Sequence, residues 1–136
     1  MVELLIGKKG TGKTKTLLEK VNNSAAVANG NVVFLSPNAG KNMYDIKSCV
    51  RVVDTTEFDI TSYAEFLGFL SGIISGNFDI TNIFVDSIFK IVDNTLEGME
   101  EFLERLDKMS SKFNISFVIT VSIDEADAPE YIKKYI

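Results

Sequence analysis

Eight residues near the start of the chain have the types and spacing that chemistry needs: Gly7-Lys8-Lys9-Gly10-Thr11-Gly12-Lys13-Thr14. They read G-x-x-x-x-G-K-T, the pattern of a phosphate-binding loop. The glycines let backbone N–H groups turn inward and approach an anion without side-chain clash. Lys13 can reach the β- and γ-phosphates as a point charge. The Thr14 hydroxyl can complete the shell of a Mg²⁺ ion, which keeps most of its waters. A helix starting at this point aims its positive end at the anion.

A second candidate is Ile83-Phe84-Val85-Asp86-Ser87. Three apolar residues run into one aspartate, as in a buried strand with an acid at its C-terminal end. Downstream of a phosphate loop, such an acid orients the water shell of Mg²⁺. Read alone, it is equally a turn or helix-cap aspartate.

The elements that must position these residues are legible in order. Met1–Ile6 is a short apolar strand running into the loop. Lys13 to Ala28 is a helix, with Leu17, Leu18, Val21 and Ala25 at helical spacing and Asn29-Gly30 as its stop. Val32–Leu35 is a second buried strand, closed by Ser36-Pro37-Asn38. Ala39 to Lys47 reads as loop with a helical turn, and Val50–Val53 as a third strand. Ser62-Tyr63-Ala64-Glu65 is a capping box. It opens a helix ending at Gly76, apolar over so wide an arc that burial between layers is expected, with Gly68 and Gly72 available for close packing. Asn94-Thr95-Leu96-Glu97 is a second capping box. It predicts a helix to about Lys112, with Leu96, Met99, Phe102, Leu103, Leu106 and Met109 facing the core. Ile115–Ile123 is the last strand, and Asp127-Ala128-Pro129-Glu130 starts a short terminal helix.

Apolar strands alternating with helices predict a three-layer α/β sandwich with a mainly parallel five-stranded sheet, the P-loop NTPase fold. Ligands in such sheets sit beyond the carboxyl ends of the strands. Gly7–Lys15 and Asp86 both fall at that edge. Length supports one domain over residues 1–136. A net charge of −5 argues against nucleic acid or an anionic membrane as the default partner. The longest apolar stretch, Phe66 to Ile74, is too short to span a bilayer, and the N-terminus reads as a strand, not a signal peptide. The one cysteine, Cys49, allows no intrachain disulfide, so a cytoplasmic, reducing home is expected. There is no histidine, which removes the commonest general base.

The loop, as G-x-x-G-T-G-K-T, together with Ile83–Ser87 resembles the RecA-like ATPases: recombinases, replicative helicases and circadian-clock ATPases. The resemblance covers roughly Met1 to Ile123. It implies a sheet whose last strand lies between the loop strand and the Asp86 strand. It implies ATP as ligand, held along Gly7, Lys8, Lys9, Gly10, Thr11, Gly12, Lys13, Thr14 and Lys15, with Thr14 and Asp86 at Mg²⁺. Ser122 could sense the γ-phosphate or simply cap the strand.

Relatives that hydrolyse ATP usually carry a glutamate after the magnesium aspartate or at the end of a neighbouring strand. Those places hold Ser87 and Ser36-Pro37-Asn38, so no catalytic residue is assigned; Asp54 and Glu57 are the available substitutes. Arg51 and Arg105 are the available arginine fingers. Lys8 stands where partitioning ATPases of the MinD type carry a signature lysine, but Lys9 replaces their glycine. The element order is also similar to thymidine kinase, without its Asp-Glu pair. Thr120–Asp124 lacks the lysine of a guanine reader, which favours ATP. The resulting expectation is a slow or partner-stimulated ATPase acting with a protein partner or as a homo-oligomer. The alternatives are a non-catalytic nucleotide-sensing module and a small-molecule kinase.

Overall fold

The computed structural model describes residues 1–93 and 95–136. Five strands form one sheet: β1 (Val2–Gly7), β2 (Asn31–Ser36), β3 (Arg51–Asp54), β4 (Ile80–Val85) and β5 (Ser116–Ser122). Their spatial order is β1-β5-β4-β2-β3, and every neighbouring pair is parallel. The last strand therefore separates the loop strand from the Asp86 strand, as the resemblance implies.

Alternation along the strands sorts the core into two layers. Val33, Leu35, Ile83, Val85, Phe117 and Ile119 face one side and meet α3 (Tyr63–Ser75) and α5 (Met99–Phe113). Val32, Phe34, Phe84 and Val118 face the other and meet Leu17 and Val21 of α1 (Lys13–Val27). Ile46 and Val50 complete that second layer. They come from the β2–β3 connection, which contains the short α2 (Ala39–Asn42) and a 3₁₀ turn. Asn22 of α1 pins this connection, donating to the Asp45 carbonyl at 2.7 Å and accepting from Lys47 N–H at 3.0 Å.

Three expectations need correction. The helix α3 is not enclosed between layers. Its Tyr63, Phe66, Leu67, Leu70 and Ile74 are buried, while Ala64, Glu65, Gly68, Ser71 and Gly72 are exposed. Nothing lies within 4 Å of where a side chain on Gly68 or Gly72 would begin, so neither glycine serves close packing. The third correction concerns the Asn94–Glu97 box; Asn94 lies outside the described residues. Thr95–Glu97 forms its own turn, with Glu97 N–H donating to Thr95 Oγ1 at 3.0 Å. Tyr63 ties this turn down by donating its hydroxyl to the Thr95 carbonyl at 2.6 Å. The helix α5 starts only at Met99, and Leu96 is exposed. The Ser62 cap forms as expected, with Ser62 Oγ accepting from Glu65 N–H, while the return bond falls one residue earlier, Glu65 Oε1 accepting from Thr61 N–H.

Two further short helices are α4 (Ile88–Ile91), between β4 and α5 and unassigned from sequence, and α6 (Glu130–Lys133), near the C-terminus. Pro129 caps α6 instead of occupying its first turn. Ile132 is buried, and the Tyr135 carbonyl accepts from Leu4 N–H at 2.7 Å, covering the outer edge of β1. No helix among the described residues is long and apolar enough to cross a membrane.

Candidate functional site

The loop between β1 and α1 is built on two backbone positions that favour glycine. Gly10 and Gly12 both adopt φ 84°, in the left-handed region. Gly12 is the N-cap of α1, and no side chain caps the helix, so its first N–H groups remain directed out of the helix end. No acidic residue sits in the first turn to oppose an incoming anion.

Lys13 folds back across the loop. Its Nζ donates to the carbonyls of Gly7 and Lys8, both at 2.8 Å. Partial burial lowers its pKa from the usual lysine value, and the nearby Asp86 charge opposes that shift. Thr11 Oγ1 donates to the Lys8 carbonyl at 2.7 Å, tightening the same turn. Lys8 itself points to Asp124, with an ion pair of 3.3 Å. Lys15 is exposed on the first turn of α1 and does not line the cavity described below.

Asp86 ends β4 with its side chain buried. A buried carboxylate needs donors. Thr14 Oγ1 donates to its two oxygens at 3.1 and 3.4 Å, and Thr120 Oγ1 donates to Oδ1 at 2.9 Å. Thr120 in turn accepts from Ser87 N–H at 2.7 Å. That bond holds Ser87 at φ 62°, a left-handed conformation unusual for serine. The sharp turn it creates leads directly into α4.

Parallel register brings these groups to one edge. Gly7 pairs with Ser122, and Val85 pairs with Ile119. The C-terminal ends of β1 and β5 are thus level, and β4 ends three residues short of them, opposite Ile119, which brings Thr120 beside Asp86. A cavity of about 270 Å³ opens there. Lys9, Gly10, Gly12, Lys13 and Thr14 line it from the loop, Asp86, Ser87 and Lys90 from β4 and α4, Thr120 and Ser122 from β5, and Asn38 from the end of β2. A larger groove of about 850 Å³ lies elsewhere, against β2, β3 and the end of α3, and shares no residue with this edge.

Two site residues escaped the sequence reading: Thr120 and Lys90. A threonine in a strand is ordinary, and only strand order sets Thr120 against Asp86. The spacing Ile88, Ile91 and Val92 was the signal for a helical turn that carries Lys90 to the cavity. The substitutes for a catalytic carboxylate do not arrive. Asp54 lies on the edge strand β3, where hydrogen bonds from Thr56 N–H and Oγ1 occupy it and lower its pKa. Neither Asp54 nor Glu57 lines the cavity. Arg51 lines the remote groove, and Arg105 lines a cleft between α3 and α5.

No family model and no curated protein matches the sequence. Solved structures do match the fold. A KaiC-like protein from the hyperthermophilic archaeon Pyrococcus horikoshii superposes with TM-score 0.68 at 17% identity, covering 98% of this chain and 68% of that one. The chain has the RecA-like fold. At that identity the likeness extends to architecture alone.

Proposed function

We propose that this chain is a nucleotide-binding protein that takes ATP with Mg²⁺, in the cytoplasm, along Gly7–Lys15 with Asp86. The observation that carries the reading is the hydrogen bond from Thr14 to Asp86 at the mouth of a glycine loop. Two elements far apart in sequence supply hard oxygen ligands a few ångströms apart, beside an ammonium and a free helix start. That donor set fits Mg²⁺. No group of three or more His, Cys, Asp or Glu side chains among the described residues forms a separate metal cage. Thr14 and Asp86 would hold the ion, directly or through its water, and its chemistry there is neutralisation of phosphate charge. Lys13 would exchange its two carbonyl acceptors for phosphate oxygens. Backbone N–H groups of the loop orient the phosphates.

Calorimetric titration with Mg²⁺-ATP tests the reading. Wild-type protein should bind, and Lys13→Ala should lose at least about tenfold in affinity, the scale of one charge-assisted hydrogen bond. Unchanged affinity in Lys13→Ala would make the loop a structural turn.

Whether bound ATP turns over divides two readings. A slow or partner-stimulated ATPase is favoured by the RecA-like fold. A nucleotide-sensing module is favoured by the cavity walls, where Asp86 is the single carboxylate. Steady phosphate release above the Lys13→Ala background selects the first.

A further inference from the structure

The helix α4 is one turn that leaves the sheet directly after Asp86. Ile88, Ile91 and the following Val92 are buried, and Val92 N–H bonds to the Ile88 carbonyl at 3.0 Å. Lys90 N–H bonds to the Ser87 carbonyl at 2.9 Å, closing the turn on itself. Three apolar anchors fix which way so short an element faces. Its remaining polar residue, Lys90, is exposed and lines the cavity beside Asp86, Thr120 and Ser122.

Lys90 has no ion-pair partner among the described residues, whereas Lys8 is held by Asp124. The cavity wall consequently carries Lys9, Lys13 and Lys90 against Asp86, in a chain whose net charge is −5. The cations come from different elements: Lys9 and Lys13 from the loop and the start of α1, Lys90 from α4 after Asp86. Lys90 lies four residues after Asp86 in the chain and lines the same cavity as the loop lysines.

We infer that Lys90 is a second phosphate-facing cation, supplied by the chain itself, that makes the site prefer a nucleoside triphosphate to the diphosphate. The inference rests on the nucleotide-binding reading above. A lysine ammonium is a compact charge with three donors on a flexible stem. A terminal phosphate offers it extra negative charge and additional acceptor oxygens, and charge-assisted bonds of this kind are the strong ones. On this inference a diphosphate held by the loop lacks the terminal phosphate that Lys90 would meet. Neither Arg51 nor Arg105 reaches this cavity from within the chain, so Lys90 is the cation that the chain adds to the loop lysines there.

Calorimetry on wild type, Lys90→Met and Lys112→Gln, each with Mg²⁺-ADP and with Mg²⁺ plus the β,γ-imido analogue of ATP, tests this. Lys112 lies at the far end of α5 and serves as an equal-charge control. Lys90→Met should lose about tenfold in affinity for the triphosphate analogue and no more than about twofold for ADP, through loss of screened long-range attraction. Lys112→Gln should leave both affinities within about twofold. An unchanged triphosphate-to-diphosphate ratio in Lys90→Met overturns the inference while the nucleotide reading stands. An equal loss from Lys112→Gln overturns it too, because bulk charge then explains the effect. Wild type that binds neither nucleotide removes both claims together.

Discussion

Thr120 uses its hydroxyl twice, donating to Asp86 and accepting from Ser87 N–H. Both partners belong to the turn that ends β4. Thr120→Val keeps the volume and removes both bonds, leaving the Ser87 N–H unpaired at a buried edge. The expected cost is about 1–3 kcal/mol of stability, read from urea unfolding. If Asp86 positions Mg²⁺, the same variant should also weaken Mg²⁺-ATP binding, because the carboxylate loses one of its two orienting donors. Asp86→Asn sharpens the point: its loss of ATP affinity should be much larger with Mg²⁺ than in EDTA. An equal loss in both conditions would mark Asp86 as a structural aspartate. The loop and Asp86 are legible in sequence because their spacing or their place at a strand end carries the signal. Thr120 and Lys90 are not, because nothing local distinguishes them; register and a buried turn select them.

At the level of elements, glycine positions separate what packing demands from what helix propensity prefers. Gly30 enters β2 against β4, where Asn31 N–H meets the Asp79 carbonyl at 2.8 Å. A side chain on Gly30 would begin 2.2 Å from that same Asp79 oxygen. Gly30→Ala should therefore cost about 1–3 kcal/mol, as overpacking does. Gly68 sits mid-helix in α3 with open space around it. Gly68→Ala should instead stabilise by roughly 0.5–1 kcal/mol through helix propensity. Opposite shifts of the urea midpoint check the pair; destabilisation by Gly68→Ala would mean that α3 is approached more closely than the structure indicates. The same helix shows why its packing was misjudged from sequence. Phe69 and Ile73 widen the apolar arc, yet both are only half-buried. The start of α5 was misplaced for a different reason. Asn94-Thr95-Leu96-Glu97 has the composition of a capping box, but Tyr63 claims the Thr95 carbonyl and holds Thr95–Glu97 as a separate turn.

For the molecule as a whole, strand order decides what can meet the site. Order β1-β5-β4-β2-β3 puts β3 at the far edge, two strands removed from β4, and with it Asp54. Fold class and strand content were readable because buried parallel strands are near-continuous apolar runs. Which carboxylates converge was not, since convergence depends on that order. The consequence is kinetic. Transfer of a phosphoryl group to water needs charge neutralisation and a group that positions the water. If the chain binds Mg²⁺-ATP, the loop, Lys13, Lys90 and Mg²⁺ supply the first. Asn38, at the end of β2, lines the cavity with an amide and not a carboxylate, and Asp86 is held by Thr14 and Thr120. Hydrolysis by the isolated chain should accordingly fall well below the typical turnover of about 10 per second. A neighbouring copy or partner that inserts an arginine could raise it by about 10³–10⁵, so the specific rate should climb with protein concentration if self-association supplies that group. Phosphate release measured across a concentration series checks both statements. Fast turnover that is independent of concentration and abolished by Lys13→Ala would show that a group already in the cavity positions water, and Asn38→Ala would then be the first variant to examine.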